Sequence, residues 1–238
     1  MSALTRLALA ACLLPATVLA QAPQSCEARA GAQPPAVVEL YTSEGCSSCP
    51  PADRWLSTLK GRSDVIALAF HVNYWDRLGW PDRFATPAIT QRQHQLAQSS
   101  GSSYVYTPQV VQNGRDWRNW SGSTPSRLPT SSVALSLKRD GNTVTANVGA
   151  AGARLAGYWA VLEDGHSTRV RAGENSGETL KHDHVVSLYQ PVDIWAGKDD
   201  KQWSLALPPA TAGVTRRVAF VVTDATSQRP VQALTLGC

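Results

Sequence analysis

The sequence predicts an α/β domain over residues 36–120 followed by a β-rich, sandwich-like domain over residues 131–238. Three observations carry that expectation. The apolar run Val37-Val-Glu-Leu-Tyr41 leads into a CxxC pair, Cys46 and Cys49. Ala52, Trp55, Leu56 and Leu59 then recur at helical spacing. Residues 65–72 form a near-continuous apolar run, as in a strand buried on both faces of a sheet. From about Ser131 the pattern changes to alternation, at Val133/Leu135/Leu137 and again at Val144/Ala146/Val148, with Asp140-Gly141-Asn142 turning the chain between them.

The first element is the strand at 37–41. The helix after the CxxC must begin close to residues 46–49, because proline is tolerated only in the first helical turn, where Pro50 and Pro51 then fall. Gly61 stops it. After the second strand, the aromatic stretch from Asn73 to Asp82 shows no period and reads as a loop. Thr86-Pro87 opens a second helix, with Thr as N-cap and Pro at its first position. Ala88, Ile89, Leu96 and Ala97 form its apolar face, and Gly101 ends it. Pro108 opens a short strand closed by the hairpin dipeptide Asn113-Gly114. The Ser, Thr, Gly and Pro of residues 121–130 mark a linker, and residues 21–35 read as another. Further strands are expected at 157–162, 185–189, 203–207, 218–223 and 231–236.

The chain has 238 residues, 43% hydrophobic and 17% charged, with a formal charge of +4. That charge is dispersed, without the basic stripe of a nucleic-acid reader. Residues 1–20 read as a signal peptide: Arg6 is the positive region, residues 7–14 the apolar core, and Val18-Leu19-Ala20 the cleavage site. The expected location is therefore secreted or periplasmic. The apolar segment is too short to span a bilayer, and no stable membrane insertion is expected. Leu9-Ala10-Ala11-Cys12 also has the form of a lipid-attachment box.

Removing the signal leaves Cys26, Cys46, Cys49 and Cys238, an even number in an exported chain. Cys46 and Cys49 suit a redox pair, which leaves Cys26 and Cys238 for a structural bridge. Thiol exchange needs a thiolate near neutral pH, and a helix N-terminus favours one through its unpaired N–H groups. Cys46 is assigned as attacking nucleophile on an exposed lip, and Cys49 as resolving thiol. A zinc site would want a second ligand pair, and no second CxxC or HxxxH occurs. No metal and no cofactor enter the expected reaction.

The strand–CxxC–helix unit followed by Thr107-Pro108 resembles the thioredoxin superfamily, in which a cis-proline facing the CxxC holds the substrate backbone. The blocks Glu39 to Asp53, His71 to Trp80 and Val105 to Gln109, with Gly173-Glu-Asn-Ser-Gly177 and Val185-Val186, resemble an exported thioredoxin-like family, domain-of-unknown-function family 1223. The resemblance implies a thioredoxin-like first domain and assigns Thr107 and Pro108 to substrate binding. The chain departs from the pattern at Gly45, where active thioredoxins usually carry Trp, and at Asn73, where the family usually has Asp.

Further candidates come from the residues themselves. Glu39, a carboxylate inside an apolar strand, is a candidate proton acceptor for Cys49. Tyr74 and Trp75, with Trp80, are candidates to line a peptide groove. His71 is placed to tune the thiolate or bind metal, and His182 and His184 share a strand face. The function expected is an exported thiol–disulfide oxidoreductase acting on a thiol-containing protein or peptide, with a further redox partner. The alternative is a non-catalytic binding protein holding copper or zinc through the CxxC and a histidine.

Overall fold

The computed structural model describes residues 25–238. The expected signal peptide, its boundary at Ala20 and Cys12 lie outside the described residues. The first half contains β1 (Ser25–Arg29), β2 (Ala36–Thr42), α1 (Pro50–Ser57), β3 (Val65–His71), α2 (Pro87–Ser99), β4 (Gln109–Gln112) and β5 (Arg115–Asp116). The second half is all strand: β6 (Leu135–Asp140), β7 (Thr143–Val148), β8 (Leu155–Asp164), β9 (His166–Arg169) and β10 (Thr179–His182). It continues with β11 (Val185–Trp195), β12 (Lys201–Ala206), β13 (Thr215–Asp224) and β14 (Pro230–Leu236).

These strands make three sheets among the described residues. An eight-stranded sheet runs β14-β13-β8-β11-β3-β2-β4-β5, a four-stranded sheet runs β1-β6-β7-β12, and β9 and β10 form a two-stranded arm. β2 and β3 pair in parallel over their whole length, from Ala36–Val65 to Thr42–His71. β11 joins β3 in parallel at Val185–Ala69 and pairs antiparallel with β8.

The expectation of an α/β, thioredoxin-like domain followed by a β-rich domain is therefore corrected. The described residues are 41% strand and 13% helix, arranged as three sheets, and the fold is β-rich. The physical reason lies in strand pairing. The apolar runs expected to form a separate sandwich, β8, β11 and β13, attach instead to the edge of β3 and extend its sheet. An apolar run reports that a strand is buried; it does not report its partner. The stretch read as linker at 21–35 contains β1, which pairs with β6 from Ser25–Asp140 to Arg29–Ser136.

Period-two alternation sorts the large sheet into two faces. Tyr41, Phe70, Tyr158 and Leu162 share one core with Ile89 and Leu96 of α2. Val38, Leu40, Ala67 and Ala69 face the other way, against Ala52 and Leu56 of α1. Trp159, Val161 and Phe220 pack with Leu137, Val144 and Ala146 of the four-stranded sheet. Each helix thus covers one side of β2 and β3, and β2 delivers the chain into the CxxC at the end of the sheet.

Cys26 and Cys238 are disulfide-bonded across a sequence separation of 212. The bridge ties β1 to the residues after β14, and Arg139 of β6 donates to the Cys238 carbonyl at 2.6 Å. Closing so long a loop contributes at most about 5 kcal/mol in the chain-entropy account. Replacing both residues by serine should lower unfolding free energy by a few kcal/mol with that ceiling, measured by urea titration without reductant.

Candidate functional site

β2 ends at Thr42, and the chain then turns through Ser43, Glu44, Gly45 and Cys46, all buried. Ser47 and Ser48 emerge into solvent before Cys49 is buried again. Cys46 and Cys49 are disulfide-bonded, with Cα atoms 5.4 Å apart. Cys49 is the N-cap residue of α1, and its carbonyl accepts from the N–H groups of Ala52 (2.9 Å) and Asp53 (3.1 Å). Pro50 and Pro51 occupy the first turn, where their missing N–H groups leave no helical bond unmade.

Cys46 was expected on an exposed lip. It is 0% exposed, because segments from elsewhere in the chain close over it. Thr107, which precedes Pro108 through a cis peptide bond, donates its hydroxyl to Cys46 Sγ at 3.3 Å. That hydroxyl accepts from the Trp75 indole at 2.7 Å. An indole N–H can only donate, so the threonine hydrogen is left to point at sulfur. Ser48 Oγ lies 3.4 Å from the same sulfur. Gln93 of α2 holds this loop by donating to the Tyr106 carbonyl and the Gln109 side chain, both at 2.9 Å. A Cβ on Gly45 would stand 3.1 Å from Trp75 Cβ, so Trp75 takes the space beside the first cysteine. Tyr74 lies next to Trp75, ring centroids 6.5 Å apart, and burial pushes its phenol pKa up.

The structure does not bring Glu39 to the cysteines. Its side chain lies on the α2 face, ion-paired to Arg92 and accepting from the hydroxyls of Tyr41 (2.7 Å) and Tyr158 (2.9 Å). The buried carboxylate on the α1 side is Asp53. It lies one helical turn beyond Cys49 and accepts from Thr42 at 3.1 Å. Burial raises its pKa, against the opposing charges of His182 and His71.

A buried polar cluster lies on the same side. His71, at the end of β3, has Nδ1 2.7 Å from Asp82. Burial pushes His71 down, but Asp82, Asp53 and Glu44 outweigh it and the net shift is upward. Burial pushes Asp82 up, and His71 with the N–H groups of Glu44 and Phe84 outweighs that and lowers it. Glu44 Oε2 accepts from the Trp80 indole at 2.9 Å, and Oε1 lies 3.3 Å from His182 Nε2. Burial raises the Glu44 carboxyl, yet the donors around it, His182 first, bring it below its ordinary range. Trp80 thus donates into this cluster. His184 is directed elsewhere, to Arg217 and Asp164. Among the described residues no group of three or more His, Cys, Asp or Glu is arranged to hold a metal ion.

The tip of the β9–β10 arm completes the site. Asn175 is buried and donates its amide to the carbonyls of Glu44 (2.9 Å) and Cys46 (3.0 Å). Its neighbour Glu174 accepts from the Ser47 N–H (3.0 Å) and hydroxyl (2.8 Å). The sequence assigns no role to Asp53, Asp82, Asn175 or Glu174, although Asp53, Glu174 and Asn175 lie in the blocks that carry the family resemblance. Asp53 carried a further signal, a carboxylate four residues after Cys49; Asp82 depends on pairings across the chain.

The family described as "Protein of unknown function (DUF1223)" matches residues 37–223. The chain belongs to that family. The match runs from β2 to the penultimate residue of β13, so the CxxC, Thr107-Pro108 and the arm tip all lie inside the DUF1223 region. A crystal structure of a protein from Agrobacterium tumefaciens is similar, with 27% identity and a TM-score of 0.62, over 84% of this chain and 93% of that one. HBP35 of Porphyromonas gingivalis shares the fold at 15% identity and a TM-score of 0.56, over 87% of this chain and 76% of that one. No curated protein matches the sequence.

The His71–Asp82 pair makes stability depend on pH with a definite sign. The Asp82 contribution is present above its ordinary 3.8 and is lost as pH falls through its lowered folded value. The His71 contribution is present below its ordinary 6.5 and is lost as pH rises through its raised folded value. Asp82→Asn should therefore cost about 3–5 kcal/mol near pH 6, as expected for breaking a buried pair. The loss should shrink as pH rises through the His71 value, measured by urea titration across pH.

Proposed function

We propose that the protein is an exported thiol–disulfide oxidoreductase working through Cys46 and Cys49. The observation that carries this reading is the Thr107 hydroxyl donating to Cys46 Sγ, at a CxxC disulfide set where α1 begins. A donor aimed at sulfur favours the thiolate, the species that attacks and leaves in exchange. The helix start adds its own preference for negative charge.

A substrate thiolate attacks Cys46 Sγ; a substrate–Cys46 bond forms, the Cys46–Cys49 bond breaks, and Cys49 leaves with the electron pair and takes a proton. A second substrate thiolate attacks the substrate sulfur of that mixed disulfide, forming the substrate disulfide and releasing Cys46 as thiolate beside Thr107. The substrate has lost two electrons and the CxxC has gained them. The reverse sequence reduces a substrate disulfide. Turnover in either direction needs a second thiol or disulfide partner to reset the pair.

Asp53 is the proton carrier assigned to Cys49. Residues i and i+4 face each other on a helix, and the raised Asp53 pKa brings a carboxyl closer to working pH. Export is supported by the N-terminal sequence pattern and by two disulfides, which persist in oxidising compartments. Among the described residues no helix is long and apolar enough to cross a membrane.

Cys49→Ser should accumulate mixed disulfides through Cys46 when offered a reduced, unfolded cysteine-containing protein, and Cys46→Ser/Cys49→Ser should accumulate none. Absence of adducts on Cys49→Ser, read by non-reducing electrophoresis and mass spectrometry, would sink the proposal. Thr107→Val, added to Cys49→Ser, should slow the release of Cys46 as thiolate from its mixed disulfide by dithiothreitol about tenfold, the low end of a lost hydrogen bond to a charged group.

A further inference from the structure

The arm formed by β9 and β10 has a tip whose own bonding makes it a compact unit. Val170 donates to the Glu178 carbonyl at 2.9 Å, Gly177 to Val170 at 3.0 Å and Glu178 to Asn175 at 3.1 Å. Gly173 and Gly177 bracket the tip at φ +73° and +94°, a backbone region that glycine reaches without strain. The arm's base is fixed by buried contacts: His166 lies 2.9 Å from Glu163, and Phe84 packs against the rings of His166 and His182.

The tip meets the CxxC loop through two side chains with different work. Asn175 is the anchor: its buried amide is spent on two carbonyls, those of Glu44 and Cys46. Glu174 brings the charge. One of its carboxylate oxygens takes both the amide hydrogen and the hydroxyl hydrogen of Ser47, the residue covalently next to Cys46. Arg77, in the short turn after β3, is the cation facing this carboxylate.

We infer that Glu174 is a positioning residue that favours the disulfide form of the CxxC, by committing the Ser47 donors to a carboxylate before Cys46 becomes an anion. The inference rests on the thiol-exchange reading of Cys46. The disulfide is uncharged and has no conflict with Glu174. Once the bond opens, the Cys46 thiolate competes with a carboxylate for the same donors and is repelled by it. A disfavoured thiolate means a disfavoured reduced state, the opposite of the arrangement that makes a strong oxidant. A substrate that draws the arm tip away would release the Ser47 donors to Cys46, coupling substrate contact at residues 173–177 to activation of the sulfur.

Glu174→Gln keeps the shape and removes the charge, so it tests the inference directly. In glutathione buffers, with the Cys46–Cys49 peptide read by differential alkylation and mass spectrometry, the variant should shift the equilibrium about tenfold toward the dithiol, one unit of thiolate affinity. In a Cys49→Ser background, the pH profile for iodoacetamide alkylation of Cys46 should move to lower pH on adding Glu174→Gln. An unchanged profile, or one moved to higher pH, overturns the inference, and a merely structural role for Glu174 predicts no such shift. Failure of the wild-type pair to exchange with glutathione overturns the oxidoreductase reading instead, and the alkylation comparison still decides the role of Glu174.

Discussion

A turn of chain buried between Ser43 and Cys46 is the constraint on which the rest of the site depends. Loops ordinarily run over the surface because each residue brings a donor and an acceptor that need partners. Here three N–H groups and three carbonyls of the turn find partners inside the protein. The Glu44 N–H goes to Asp82 (2.8 Å), the Gly45 N–H to Ser43 Oγ (3.1 Å) and the Cys46 N–H to the Ser43 carbonyl (3.1 Å). The carbonyls of Glu44 and Cys46 go to Asn175. Two of these partners lie 38 and about 130 positions away in sequence. The second half of the chain is therefore a structural requirement of the CxxC, since without it a buried loop would hold unpaired carbonyls at roughly 1–3 kcal/mol each.

Buried charge is divided between the two faces of the large sheet, and the two halves behave differently. On the α2 face Glu39 receives Arg92, Tyr41 and Tyr158, and the Arg92 guanidinium also lies 4.0 Å from the Tyr158 ring centroid. That network satisfies its carboxylate and locks α2 to β2. On the α1 face, His71 Nε2 and His182 Nδ1 have no protein hydrogen-bond partner, and Glu44 Oε1 and His182 Nε2 have only each other, 3.3 Å apart. A partly satisfied network is costly in a low-dielectric interior. Its position behind the CxxC loop, with Asp53 one helical turn from Cys49, sets the electrostatic background of the Cys46–Cys49 disulfide.

Local features were legible in the sequence because their physics is local. Pro50 and Pro51 located the start of α1, Thr86-Pro87 that of α2, and Asn113-Gly114 the β4–β5 turn. The alternating and apolar runs identified most of the strands of the second half. What they could not reveal was pairing, so β8, β11 and β13 were assigned to a sandwich of their own when Val185 in fact sits beside Ala69. Glu39 shows the same limit at the scale of one residue. A carboxylate in an apolar strand signals burial, but the choice between Arg92 and Cys49 as its neighbour depends on which sheet face the helices cover. The burial of Cys46 is not legible in its own stretch of sequence, because the segments that cover it come from around residues 75, 107 and 175.

The segment from Asn73 to Asp82, aperiodic in sequence, turns out to couple these parts. Asn73 exchanges hydrogen bonds with Thr90 of α2, its N–H donating at 3.1 Å and its side-chain oxygen accepting at 2.7 Å. Trp75 orients Thr107, Trp80 donates to Glu44, and Asp82 holds both the Glu44 N–H and His71. One stretch thereby ties the end of β3 to α2, to the loop before Pro108 and to the turn that carries Cys46. Gly45 is the counterpart of this arrangement: a side chain there would run into Trp75, so the small residue and the bulky one have to be considered together. The environment of the first cysteine is set by Ser47 and Ser48 beside it together with an aromatic and a threonine supplied from outside the CxxC.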